Sequence, residues 1–150
     1  MIKIVKMSVL DVPQIAELEQ ECFSSPWSES SLLYAVNDPN SAYFAAKDGE
    51  KTVGYGGINF VLDEGFIGNV AVKSDYRRKG VGLSIIESII SLAEEKKVSF
   101  ISLEVRKSNT PAILLYEKCG FLDVGIRKDF YIWPTEDAVI MTKWFNEKKV

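Results

Sequence analysis

Histidine is absent from all 150 residues of this chain. The side chain that most often moves protons near neutral pH, and most often binds metals, is therefore missing. Acid–base chemistry has to run on carboxylates, tyrosine, lysine, cysteine or water. Positive charge is not in excess either, since 18 lysines and arginines face 21 aspartates and glutamates for a net charge of −3. A nucleic-acid binder would carry a basic face, so no nucleic acid is expected as a partner. A basic peptide is compatible with the acidic balance. Cysteine is scarce: Cys22 and Cys119 lie far apart, lack metal-ligand spacing and sit among apolar neighbours, which predicts buried free thiols and no metal. No run of about 18 apolar residues occurs, so no membrane span is expected. The opening MIKIVKMSVLD holds no apolar core long enough for a signal peptide, and the expectation is a cytoplasmic protein. Repeats, low-complexity tracts and Gly/Ser linkers are absent too, so residues 1–150 are expected to form one domain.

What is present is an ordinary globular composition, 47% hydrophobic and 26% charged, with clear periodicity. Ile2–Lys6 alternates as a short strand does. Asp11 is placed to cap a helix, with Pro13 in its first turn, Gln14 completing a capping-box pattern, and Ile15, Leu18, Cys22 and Phe23 forming one apolar stripe. Ser28 can cap a second, shorter helix. Three strand-like runs follow, at 42–47, 52–62 and 66–72, the first ending on the hairpin signal Asp48-Gly49. A long helix bearing Ile85, Ile86, Ile89, Ile90 and Ala93 starts near Gly80. Then come a strand at 100–105, a helix at 110–119 closed by Gly120 in a position suited to a left-handed cap, and strands at 121–127 and 138–144. A meander followed by β-α-β-α-β predicts an α/β fold, a mixed central sheet with helices on both faces.

One segment reads either as a ligand site or as a solvated basic turn with a glycine bend. Asp75-Tyr76-Arg77-Arg78-Lys79-Gly80-Val81-Gly82 lies between a strand and the long helix. A helix start offers unpaired N–H groups and a favourable dipole to an anion, and glycines let the backbone approach a phosphate closely. A P-loop would place its lysine after the last glycine, whereas Lys79 precedes Gly80. A dinucleotide fingerprint would need a third glycine where Ile85 stands.

The remaining pattern, Arg77-x-x-Gly80-x-Gly82, resembles the acetyl-CoA pyrophosphate loop of the GNAT superfamily. Downstream, Leu103-Glu104-Val105-Arg106, Ser108-Asn109, Leu115-Tyr116-Glu117-Lys118 and Gly120-Phe121 occur in the order found in bacterial ribosomal-protein-alanine N-acetyltransferases. The likeness extends to Phe23, Pro26-Trp27-Ser28, Asn69-Val70-Ala71-Val72, Arg127, Tyr131 and Glu136-Asp137-Ala138, nearly the whole chain. It implies a GNAT fold and acetyl-CoA as cosubstrate. It further implies Val70, Ala71 and Val72 as the strand pairing with the pantetheine arm, and Arg78, Lys79, Gly80, Val81, Gly82 and Leu83 as the pyrophosphate site, with Arg77 adding positive charge beside it. Asn109 would bond the cosubstrate near the thioester. Glu104 would be the general base and Tyr116 the general acid. Phe23, Trp27 and Tyr131 would line the groove of the acceptor or pack as core aromatics; the acceptor would be a protein N-terminus, by resemblance the N-terminal alanine of a small-subunit ribosomal protein. Phe130 departs from the family's second tyrosine, and Gly65–Gly68 is glycine-flanked where bulkier residues are expected.

The chemistry is coherent on its own terms. An α-amino group, with a pKa of about 7.7–8.0, is roughly 10% neutral at pH 7, far more than lysine, and needs only modest help to lose its proton. Other readings stand beside it. Period two puts Glu104 and Arg106 on one face, so the carboxylate could be an ion-pair partner of Arg106 or Lys107. Tyr116 could be a core aromatic. The acceptor could be a small amine or a lysine, or the domain could sense acetyl-CoA without catalysis. The sequence leaves oligomeric state open.

Overall fold

Alternating apolar residues in the first half become a four-stranded antiparallel meander in the computed structural model, which describes residues 1–145. It comprises β1 (Ile2–Lys6), β2 (Ser41–Asp48), β3 (Lys51–Val61) and β4 (Glu64–Val72). Between β1 and β2 run helices α1 (Val12–Cys22) and α2 (Glu29–Asn37). The second half adds α3 (Val81–Glu95), β5 (Phe100–Arg106), α4 (Thr110–Lys118), β6 (Leu122–Tyr131) and β7 (Glu136–Trp144). The seven strands lie in the order β1-β2-β3-β4-β5-β7-β6, with only β4 and β5 parallel. On one face α3 and α4 bury Ile85, Ile89 and Tyr116 against Ile58, Ile101 and Leu103. On the other, α1 and α2 bury Ile15, Leu18 and Leu32 against Tyr43, Ala45 and Tyr55. The expected mixed sheet with helices on both faces is what forms. No helix among the described residues is long and apolar enough to cross a membrane.

The break in the sheet is the feature that matters for function. β4 and β5 pair only through Glu64–Phe66 against Phe100–Ser102. Immediately beyond, the register with β3 slips: Ile67 faces Ile58 but Val70 faces Gly56, so Gly68 and Asn69 oppose the single Gly57. Such a bulge bends its strand. β4 therefore leaves β5, and the sheet opens into a fork. Opposite the bulge, a Cβ on Gly57 would run into the ring of Tyr43. That ring cannot easily retreat, lying 6.3 Å from Tyr55 and 6.4 Å from Trp27, centroid to centroid. Gly57→Ala is accordingly expected to destabilise the protein by about 1–3 kcal/mol through overpacking, read as a lower urea midpoint at unchanged slope.

Several local expectations need correction. Asp11 does not cap α1 with its side chain. Ser8 caps a preceding short turn instead, and Asp11 answers it from the third position, accepting from the Ser8 N–H at 2.9 Å and pairing with Lys47 at 2.7 Å. Gln14 closes no capping box; its Oε1 accepts from the Thr52 N–H at 2.7 Å, tying α1 to β3. The thiols are free but only half-buried. Ser28 does cap α2, and Gly120 takes the left-handed conformation expected after α4, with φ 97°.

Candidate active site

Between the diverging ends of β4 and β5 lies a cleft of about 400 Å³. Asn69 and Val70 line it from β4, Glu104 from β5, Asn109 and Tyr116 from α4, and Tyr131 from the end of β6. Trp27, from the loop before α2, closes the wall beside Gly68. Beyond Phe66 no strand among the described residues pairs with this edge of β4, so part of its backbone is left for a ligand.

Glu104 is half-buried, and its Oε2 accepts from Arg127 Nε at 3.0 Å. The ion-pair reading of Glu104 was thus right in kind and wrong in partner. Arg106 turns instead to Glu136 at 3.0 Å and to the carbonyls of Pro134 and Ile132. Bonds from Ser108, with Arg106, hold the Glu136 carboxyl below the usual range. Arg106 also lies over the Tyr131 ring, 4.4 Å from its centroid, which fixes that ring at the cleft. Burial, followed by the neighbouring Glu104, pushes the Tyr131 phenol up to about 12. Tyr116 is only 7% exposed, packed edge-on against Phe121, yet it lines the cleft. Burial is the main cause that raises its pKa above the ordinary phenol range. Asn109 caps α4 through Oδ1, which accepts from the Ala112 N–H at 3.3 Å, and the cap leaves its amide NH₂ for a ligand.

Beside the end of β4 stands the start of α3. Gly80 is its N-cap, at φ 81°, where a non-glycine residue would be strained, and no side chain caps the first turn. The N–H groups there retain the capacity to bind an anion. Arg78, at φ 64°, shares the left-handed conformation. A Cβ on Gly82 would sit 3.3 Å from Leu115 and 3.7 Å from Val72, so α3 begins wedged between α4 and the end of β4.

Residues 12–121 match the acetyltransferase (GNAT) family. The chain is 37% identical over 142 residues to a Bacillus subtilis protein, covering 94% of each. It is 35% identical over 139 residues to the Escherichia coli ribosomal protein bS18-alanine N-acetyltransferase, covering 90% of this chain and 92% of that one. The chain belongs to the GNAT acetyltransferase family. The crystal structure of the E. coli ribosomal-protein-S18-alanine N-acetyltransferase superposes with a TM-score of 0.89 at 34% identity, over 96% of this chain and 94% of that one. This GNAT protein is therefore an acetyl-CoA-dependent N-acetyltransferase.

The GNAT cleft gathers seven of the residues singled out from sequence: Phe23, Trp27, Val70, Glu104, Asn109, Tyr116 and Tyr131. Others lie apart from it. Ala71 is buried in the α1–α2 core. The Val72 carbonyl is already engaged by Arg77 Nε at 2.9 Å, and Arg77 Nη2 lies 3.3 Å from Cys22 Sγ, so this guanidinium braces α1 to β4. Val81 is buried, which leaves only its backbone to serve an anion. The sequence reading missed Glu19, which is fully buried and hydrogen-bonded to Tyr55, Asn69 and the Trp27 N–H. It also missed Cys22 as a residue of the cleft wall.

Proposed function

We propose that this N-acetyltransferase acts on the α-amino group of a protein N-terminus, the N-terminal alanine of a small-subunit ribosomal protein. The observation that carries the reading is the forked cleft itself, which brings Glu104 and Tyr116 together between aromatic walls from Trp27 and Tyr131. The E. coli relative, named for alanine of ribosomal protein bS18, supports the choice of acceptor. The chain's residues fit acetyl-CoA: the first turn of α3 has no side-chain cap and can hold the pyrophosphate beside Arg78 and Lys79, and the free edge of β4 near Val70 can pair with the pantetheine amides. When bound, acetyl-CoA supplies the activated acyl carbonyl.

Glu104 removes a proton from the attacking amine, directly or through one water, as its nitrogen bonds to the carbonyl carbon. Asn109 donates from its amide near the thioester. Tyr116 hydrogen-bonds the departing sulfur, which gains its proton as the C–S bond breaks. The products are an N-acetylated chain and a free thiol, and one proton has left the nitrogen for each one gained by sulfur. Arg77 also braces β4, through the Val72 carbonyl.

Two measurements test this. Acetyl-CoA at about 100 times its Kd should stabilise the fold by about 2.7 kcal/mol, visible as a raised Tm. Mass spectrometry should find one acetyl group on the α-amine of an Ala-starting peptide, with little on internal lysines or on a polyamine. A preference for the polyamine would remove the N-terminal reading and leave the family assignment standing.

A further inference from the structure

On α1 a carboxylate is buried without a cation. Glu19 is 0% exposed, and no lysine or arginine among the described residues pairs with it. Burying such a group is costly unless its lone pairs are filled. Neutral donors fill them here. Oε1 accepts from the Trp27 N–H at 2.9 Å and from Asn69 Nδ2 at 3.1 Å. Oε2 accepts from Asn69 Nδ2 at 2.9 Å and from the Tyr55 hydroxyl.

The origin of those donors gives the arrangement its meaning. Trp27 belongs to the loop that closes one side of the cleft. Asn69 is half of the β4 bulge that opens the fork. Tyr55 comes from β3, in the core behind them. A single rigid carboxylate thus ties the loop wall and the strand wall to the same point in the core. A hydrophobic residue could fill the volume of Glu19 but could not fix the separation of two walls through directional bonds.

We propose that Glu19 is a positioning residue for the acceptor: it sets the gap between Trp27 and the β4 bulge, and so holds the entering chain end against Glu104. The assignment rests on the N-terminal acetylation proposed above. Glu19 touches neither substrate nor the reacting atoms. Its effect falls on the acceptor side of the cleft and spares the anion site at the start of α3.

Glu19→Gln tests this, because glutamine offers one acceptor oxygen and sets an NH₂ against donors it cannot satisfy. The expected result is a KM for an Ala-starting peptide raised at least ~10-fold, with acetyl-CoA Kd changed by less than about 2-fold. Should that variant fail to fold, Asn69→Ala removes a donor from the cleft wall alone and should give the same split. Tyr55→Phe removes a donor from the core side and should lower Tm while moving peptide KM much less. Unchanged peptide KM in Asn69→Ala, or a parallel loss of acetyl-CoA affinity, overturns the assignment while the wild type remains active. A wild type that acetylates no peptide overturns the proposed function, and this assignment with it.

Discussion

Glu104→Gln is expected to lose roughly 10²–10⁴-fold in kcat/KM at pH 7 on an Ala-starting peptide while keeping its affinity for acetyl-CoA. Glutamine has nearly the shape of glutamate, and its carbonyl can still accept from Arg127, which now bonds Glu104 at 3.0 Å. The contact between β5 and β6 therefore survives the substitution, and what is lost is the capacity to take a proton. That ion pair is largely exposed at its arginine end, 56% by side chain, so it contributes little to stability and its loss does not mimic the catalytic effect. Raising the pH should restore part of the rate, since an α-amine is mostly neutral above about pH 8.5, whereas a lysine acceptor would show far less rescue. Wild-type activity at pH 7 would make Glu104 a structural partner of Arg127. Loss of acetyl-CoA binding would mean that β5 itself had moved, and a melt against the ligand distinguishes the two.

The sequence announced this arrangement unevenly, for physical reasons. Local signals translated directly: the alternating runs became the meander, the isoleucines of α3 became its buried stripe, and Gly120 ended α4. The start of α3 at Gly80 was also legible, because a glycine-bounded helix start is a short-range feature. Glu104 and Tyr116 came from resemblance, and no local pattern sets either apart. What stayed hidden depends on register and strand order. The bulge at Gly68 and Asn69 exists only relative to Gly57 on the neighbouring strand. Arg127 reaches Glu104 across β7, which the chain inserts between β5 and β6 after both have been made. Glu19 stands in the acidic stretch Glu17–Glu21 with no local mark of burial, and only the positions of Tyr55, Asn69 and the Trp27 N–H make a buried carboxylate tolerable there. The Ser8-x-x-Asp11 box, by contrast, is a local pattern that could have been found in place of the Asp11 cap.

Tyr116→Phe should lower kcat roughly 100-fold with little change in acetyl-CoA affinity. The ring is held by burial and by its edge-on contact with Phe121 at 5.6 Å, and phenylalanine keeps both. The variant therefore removes only the hydroxyl that reaches the cleft. Burial, with smaller contributions from Tyr131 and Cys119, raises the Tyr116 pKa above that of a free phenol. The sign of that shift has two consequences. A higher pKa keeps the hydroxyl protonated, so its ionisation should produce no falling limb in kcat below about pH 10. It also makes complete transfer to a thiolate of ordinary pKa, about 8.5, uphill at equilibrium. The hydroxyl then acts chiefly as a hydrogen bond that strengthens while charge gathers on sulfur, with the proton following the breaking C–S bond. Such a bond is worth most in the transition state, which is why the loss should fall on kcat. The measurement is kcat against pH from 6 to 10 for wild type and variant, together with acetyl-CoA titrations of both. An unchanged kcat would leave the hydroxyl without a role. A collapse of affinity would show that it holds the ligand in the ground state, and the stabilisation of sulfur would have to come from the backbone N–H groups of the fork.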